Sequence, residues 1–303
     1  MHTKTNTLRS IRAAALLLLA GAVASQAGTI YVNDFIDIYA YTTGGTRSVY
    51  STQASGTVQQ MAFNSGGTLY EQARDANAIY AIAPDGSRTT FATVNSPEGL
   101  AVDASGNIYT GANSGGTIMK YTPGGTASVF ATGTSVFDLA FDPGGNLFAS
   151  DLNQNIYEFA PDGTRTLFST GTGGTYVGLV FDASGDLFAT NWNGSTVDKF
   201  TPGGVHSVFA TLPGSGTQLG YGITIDPSTG TLYVAEVANG VSNCCNQFVY
   251  AITSGGALST FGTGLYDPAG IAYYSGAAAA PEPNTWLMMG AGVLAVVLKR
   301  RKA

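Results

Sequence analysis

The chain has 303 residues, 44% hydrophobic and only 11% charged, with 41 glycines, 16 tyrosines and 15 phenylalanines. This profile excludes a disordered chain and suits many short strands joined by glycine turns. Between residues 28 and 283, six basic residues stand against all 19 acidic ones, a formal charge of −13. A phosphate backbone would be repelled, so nucleic-acid binding is excluded.

Residues 1–27 read as a secretory leader. Lys4, Arg9 and Arg12 form a positive n-region, Ala13 to Ala24 an apolar stretch, and Ser25-Gln26-Ala27 a small-residue cleavage site before Gly28. The apolar stretch is shorter than the ~20 residues that a membrane span needs. Signal peptidase is the partner this segment implies.

The body, residues 28–276, is a repeat. An apolar strand ending in Asn or Asp recurs as Met61-Ala62-Phe63-Asn64, Leu100-Ala101-Val102-Asp103, Leu139-Ala140-Phe141-Asp142, Leu179-Val180-Phe181-Asp182 and Ile223-Thr224-Ile225-Asp226. Successive copies lie 39, 39, 40 and 44 residues apart. A Gly-rich turn and three further short strands follow in each copy, as in Asn107-Ile108-Tyr109, Ile118-Met119-Lys120-Tyr121 and Ser128-Val129-Phe130. Four strands in about 40 residues predict one antiparallel propeller blade. The body opens on what read as second, third and fourth strands. The missing first strand is Gly270-Ile271-Ala272-Tyr273-Tyr274, so both ends share one blade and the expected fold is an all-β, six-bladed propeller.

The phrases Gly99-Leu100-Ala101-Val102-Asp103, Ser105-Gly106-Asn107-Ile108-Tyr109 and Lys120-Tyr121-Thr122-Pro123-Gly124-Gly125 resemble the NHL, SMP-30 and streptogramin-lyase group of six-bladed propellers. That resemblance implies the fold. The group hosts lactonases, lyases and binding scaffolds, so it does not choose an activity.

The periodic Asp103, Asp142, Asp182 and Asp226 sit where a strand enters a turn, where an Asp side chain bonds the backbone, and their role is structural. The other face gathers unequal residues. Asp34, Asn113, Asp151, Asn191 and Glu236 follow second strands, near Glu98, Asp138 and Asp267 at the entries to first strands. Phe137, Tyr176, Trp192 and Tyr221 come from the same loops. We take Glu98, Asp138, Asp151, Tyr176, Asn191, Trp192, Tyr221 and Glu236 as the expected ligand face. Its partner would be an extracellular polysaccharide or a surface protein, and no cofactor is required. The alternative is a divalent-metal-dependent lactonase similar to SMP-30, with Glu98, Asp138, Asp151, Asn191 and Glu236 around Ca²⁺ or another ion. A third reading has these polar residues only capping strand ends. Streptogramin lyases rest on a histidine with a carboxylate. His206, the one histidine of the body, lies in an outer turn away from this face, so no catalytic residue is assigned.

Cys244 and Cys245 are the only cysteines. Adjacent in an insertion, they suit a vicinal disulfide or a bond to another chain.

Residues 277–303 form the tail. Ala277 to Ala280 are a spacer, Pro281-Glu282-Pro283 a motif, Trp286 to Leu298 an apolar run read as a short transmembrane helix, and Lys299-Arg300-Arg301-Lys302 a basic end. This order resembles the PEP-CTERM sorting signal. The resemblance implies an exosortase, a membrane transpeptidase, as partner. It also implies export in a Gram-negative bacterium, transient anchoring, and then residence in the envelope or matrix.

Overall fold

The computed structural model describes residues 28–276 apart from 35–36, 53–57, 113–115, 152, 171–173, 214–217 and 239–246. The leader, the tail with Pro281, Glu282 and Pro283, and Asn113, Cys244 and Cys245 therefore lie outside the described residues.

Twenty-four strands form six four-stranded sheets. Blade one runs outward through β24 (Ile271–Tyr274), β1 (Thr29–Asn33), β2 (Asp37–Thr42) and β3 (Arg47–Thr52). Blade two holds β4 (Val58–Phe63), β5 (Leu69–Ala73), β6 (Ala78–Ile82) and β7 (Arg88–Thr93). Blade three holds β8 (Pro97–Val102), β9 (Ile108–Ala112), β10 (Thr117–Tyr121) and β11 (Ala127–Thr132). Blade four holds β12 (Val136–Phe141), β13 (Leu147–Asp151), β14 (Ile156–Phe159) and β15 (Arg165–Ser169). Blade five holds β16 (Tyr176–Phe181), β17 (Leu187–Asn191), β18 (Thr196–Phe200) and β19 (His206–Thr211). Blade six holds β20 (Gln218–Asp226), β21 (Thr231–Ala238), β22 (Gln247–Ile252) and β23 (Leu258–Leu265). All pairings are antiparallel between sequence neighbours except β24 with β1, which joins the two ends in the register Thr29↔Tyr274 to Val32↔Ile271. The expected shared blade is present. Gly270 N–H donates to the buried Asn33 Oδ1 and fixes the seam.

The first strand of each blade faces the axis, and neighbouring first strands touch around the ring. Aromatic rings fill the wedges between blades. The second-strand ring of one blade meets the outer ring of its own blade and the first-strand ring of the next. Tyr109 lies 5.1 Å from both Phe130 and Phe141, and Phe148 lies 5.0 Å from Phe168 and 4.7 Å from Phe181. Edge-to-face contacts of this kind each add about 0.5–1.5 kcal/mol beyond area burial. The aromatic content of the sequence is thus the packing between blades.

The turns that end the first strands define one face of the disc, the turn face. Asp103 Oδ1 accepts from Ser105 N at 2.9 Å and Asn107 N at 2.8 Å, and Asp182 and Asn64 repeat the pattern. Asp142 caps Asn146 N at 2.7 Å and Asp226 caps Ser228 N at 2.9 Å. Burial pushes the Asp103 carboxyl up, but hydrogen bonds from Asn107, Tyr109 and Ser105 outweigh it and hold the pKa below the usual range. The periodic acids are turn caps.

Candidate functional site

The opposite face, the loop face, carries the ends of the second strands and the entries to the first. Asp34, Asp151, Asn191 and Glu236 occupy equivalent second-strand ends, yet three of them cap turns. Asp34 Oδ1 accepts from Asp37 N at 3.0 Å. Asp151 Oδ1 accepts from Asn153 N and Asn155 N, each at 2.8 Å, and its Oδ2 accepts from Asn155 Nδ2. Asn191 Oδ1 accepts from Gly194 N at 2.9 Å while its Nδ2 donates to Asp198 Oδ2 at 3.1 Å. Tyr176 is 1% exposed and directs its hydroxyl to that same Asp198 oxygen at 3.2 Å. Thr196 Oγ1 donates to Asp198 Oδ1 at 2.7 Å, and His206 Nε2 lies 3.1 Å from Oδ2, off the hydrogen-bond direction. Asp198, buried in β18, is thus the hub that gathers Tyr176, Asn191 and His206. Sequence reasoning missed it, although an Asp where the other third strands carry Tyr39, Tyr80, Met119, Tyr157 and Tyr250 is a signal of buried polar pairing.

Glu236 stands apart. It is 1% exposed, accepts one hydrogen bond from Tyr250 Oη at 3.4 Å, and leaves Oε2 without a partner. Burial raises its pKa to about 7, against a smaller lowering from Tyr250.

Near the axis the structure brings Glu98, Asp138 and Tyr221 together. Glu98 is buried and pairs with Arg74 Nη1 at 2.9 Å; burial raises its pKa to about 7 and Arg74 pulls it back. Asp138 accepts from Leu179 N of the next blade at 2.8 Å. Its pKa rises to about 8 through burial, backbone hydrogen bonds from Leu179, Leu139 and Leu100 lower it, and Glu98 adds to the rise. Burial also raises the Tyr221 pKa, with the charges of Glu98, Asp138 and Asp267 adding and Arg74 opposing. Trp192 meets Tyr221 edge-on, with centroids 5.7 Å apart at 86°. Phe137 lies half-buried beside Asp138.

Below this group an axial cavity of about 270 Å³ is lined by the six first strands, from Gln60 and Asp138 to Phe63, Phe141, Phe181 and Tyr273. Gln60 of blade two donates through Nε2 to Val177 O of blade five at 3.1 Å, crossing the axis between opposite blades. Among the described residues no three His, Cys, Asp or Glu side chains are grouped to hold a metal ion. The five residues of the metal reading are distributed over blades three to six. Asp151 and Asn191 cap turns, Glu98 is held in an ion pair and Asp138 by a backbone amide, while Glu236 keeps Oε2 without a hydrogen-bond partner.

Residues 279–302 match the PEP-CTERM protein-sorting motif. The chain carries this sorting motif. The motif indicates export and sorting to the cell envelope of a Gram-negative bacterium, and it implies processing by signal peptidase and exosortase. Residues 93–120 match a second model, strictosidine synthase-like, N-terminal, which spans little more than half a blade. No curated protein matches the chain. Among solved structures it is similar to a nidogen/laminin complex chain, with TM-score 0.70, 19% identity, and coverage of 82% of this chain and 100% of that one. It is also similar to a catalytically inactive histidine-to-alanine form of virginiamycin B lyase from Staphylococcus aureus, solved with quinupristin. There the TM-score is 0.57 and the identity 16%, covering 78% of this chain and 85% of that one. A gluconolactonase from Xanthomonas campestris gives TM-score 0.58 at 17% identity, covering 82% and 84%. At these identities the likeness shows the fold, and the NHL and streptogramin-lyase resemblance is borne out at that level.

Proposed function

We propose that this sorted propeller is a non-catalytic binding or scaffold module. Its apolar tail segment holds it in the membrane until exosortase acts, and the loop face around Trp192, Tyr221 and Arg74 contacts a polysaccharide or a surface protein of the envelope. The observation that carries this reading is the engagement of the loop-face polar groups in the fold itself. Asp34, Asp151, Asn191, Tyr176 and Asp138 all hold backbone or buried side-chain partners. What remains at the surface is the half-buried pair Trp192 and Tyr221 beside Arg74, a surface suited to stacking on sugars or side chains. The nidogen propeller, solved in complex with laminin, supports such a use of the fold.

The lactonase alternative draws support from the gluconolactonase likeness and from the buried carboxyls of Glu98 and Asp138, raised to about 7 and about 8. It is disfavoured by Gln60, which spans the axis where a substrate would have to reach Glu98 and Asp138. The chain has two tryptophans, and Trp192 is the one in the body, so its fluorescence reports on the loop face. Titration of residues 28–276 with purified envelope polysaccharide should give a saturable change in that emission, weakened by Tyr221→Ala. Saturable binding with unchanged Trp192 emission, or unaffected by Tyr221→Ala, would move the ligand surface elsewhere.

A further inference from the structure

The two ends of the described chain leave the disc at one place. β24 is the innermost strand of blade one, and Tyr273 lines the axial cavity. Tyr274 stacks on Phe63 at 4.7 Å and its hydroxyl lies against Gly67, in the first turn of blade two. Gly28 lies against the Tyr273 ring. Both ends therefore emerge on the turn face beside the axis, on the side away from Arg74, Trp192 and Tyr221.

Nine residues, 277–285, separate Gly276 from the apolar run that begins at Trp286. Fully stretched, the ten steps from Gly276 to Trp286 span roughly 33–36 Å, against about 17 Å for a coil of that length. To bring the loop face to the membrane, this linker would have to pass round the disc. Crossing a blade of four strands takes roughly 14 Å, and the length of a six-residue first strand such as β4 adds roughly 20 Å. The backbone path is thus about 34 Å before any side chain is counted, which takes up the whole of the stretched linker and is about twice its coil length.

We infer that, until the tail is cut, the turn face is apposed to the membrane surface and the loop face points away from it. The inference rests on the proposed residence of residues 286–298 in the bilayer. It makes the turn face the surface presented to lipid headgroups and leaves the loop face free for its partner before and after processing. The cleft of about 420 Å³ between blades three and four, lined by Tyr109, Lys120, Phe141 and Asp142, lies on the turn face and faces the membrane until processing.

The test uses the chain from Gly28 to Ala303, with Cys244→Ser and Cys245→Ser, in vesicles of phosphatidylethanolamine and phosphatidylglycerol. A fluorophore is attached through Ser184→Cys on the turn face or Asn193→Cys on the loop face, both exposed turn residues. Headgroup spin-labelled lipid should quench the label at 184 several-fold more than the label at 193. Inserting about 20 Gly/Ser residues after Ala280 adds a coil of about 25 Å and should reduce that difference. Equal quenching at both sites, or stronger quenching at 193, would overturn the orientation. Failure of the protein to float with the vesicles would instead overturn the membrane residence on which it rests.

Discussion

Replacing Glu236 with Gln should reduce the loss of stability that the protein suffers as pH rises. The carboxyl is 1% exposed, has a single long hydrogen bond from Tyr250, and titrates at about 7 instead of 4.5. Because the folded-state pKa is raised, the folded protein holds the proton more tightly than the unfolded chain. The stabilisation is fully present below about pH 4.5 and is lost as pH climbs to 7 and above. Integrated between pH 5 and 8, Glu236 alone should remove about 2.5 kcal/mol of stability. Glu236→Gln keeps the shape and removes the titration. Urea unfolding of residues 28–276 should find variant and parent similar at pH 5, and the variant more stable by about 2 kcal/mol at pH 8. Glu98 and Asp138 push the parent in the same direction, so both proteins should still weaken with pH, the variant less. A variant-to-parent difference that does not change between pH 5 and 8 would refute the reasoning. It would mean that the carboxyl is hydrated or differently paired.

Other consequences follow from the packing between blades. Gly163 has φ 85°, and a Cβ there would run into Phe130 O of the preceding blade. Gly125 has φ 82° with open space around it. Gly163→Ala should therefore lower stability clearly more than Gly125→Ala, which should cost only about 1 kcal/mol of backbone strain; urea midpoints compare them. Ending the chain at Ala269 deletes β24 and leaves β1 as an unpaired inner edge, so the protein should self-associate, as seen by light scattering. A monomeric, cooperatively unfolding truncation would contradict closure by the shared blade. Tyr176→Phe should cost about 1 kcal/mol through loss of the Asp198 hydrogen bond and leave ligand binding unchanged, which separates a structural from a contacting role.

The repeat was legible because turn chemistry is local. Asp103 and its equivalents bond backbone amides two and four residues on, and that spacing is visible in sequence. The same logic applies to Asp151, followed by Asn153 and Asn155, and to Asn191, followed by Gly194. Their caps were available to sequence reasoning, but their unequal identities suggested a ligand face instead. Glu98, Asp138 and Tyr221 were placed on one face correctly because the strand directions of a blade fix which ends share a side. The Arg74 pairing of Glu98, the four-partner Asp198 hub and the Gln60–Val177 bond were not legible. The last joins residues 117 apart across a ring whose closure brings opposite blades together. Nothing in local pattern encodes that distance.

The most direct test of the central claim is calorimetric titration of residues 28–276 with Ca²⁺, Mg²⁺, Mn²⁺ and Zn²⁺. A binding module whose loop-face carboxyls are engaged in the fold should give no saturable heat with any of the four. Stoichiometric binding that is abolished by Glu98→Gln or Asp138→Asn would contradict the account and establish a metal centre at the axis.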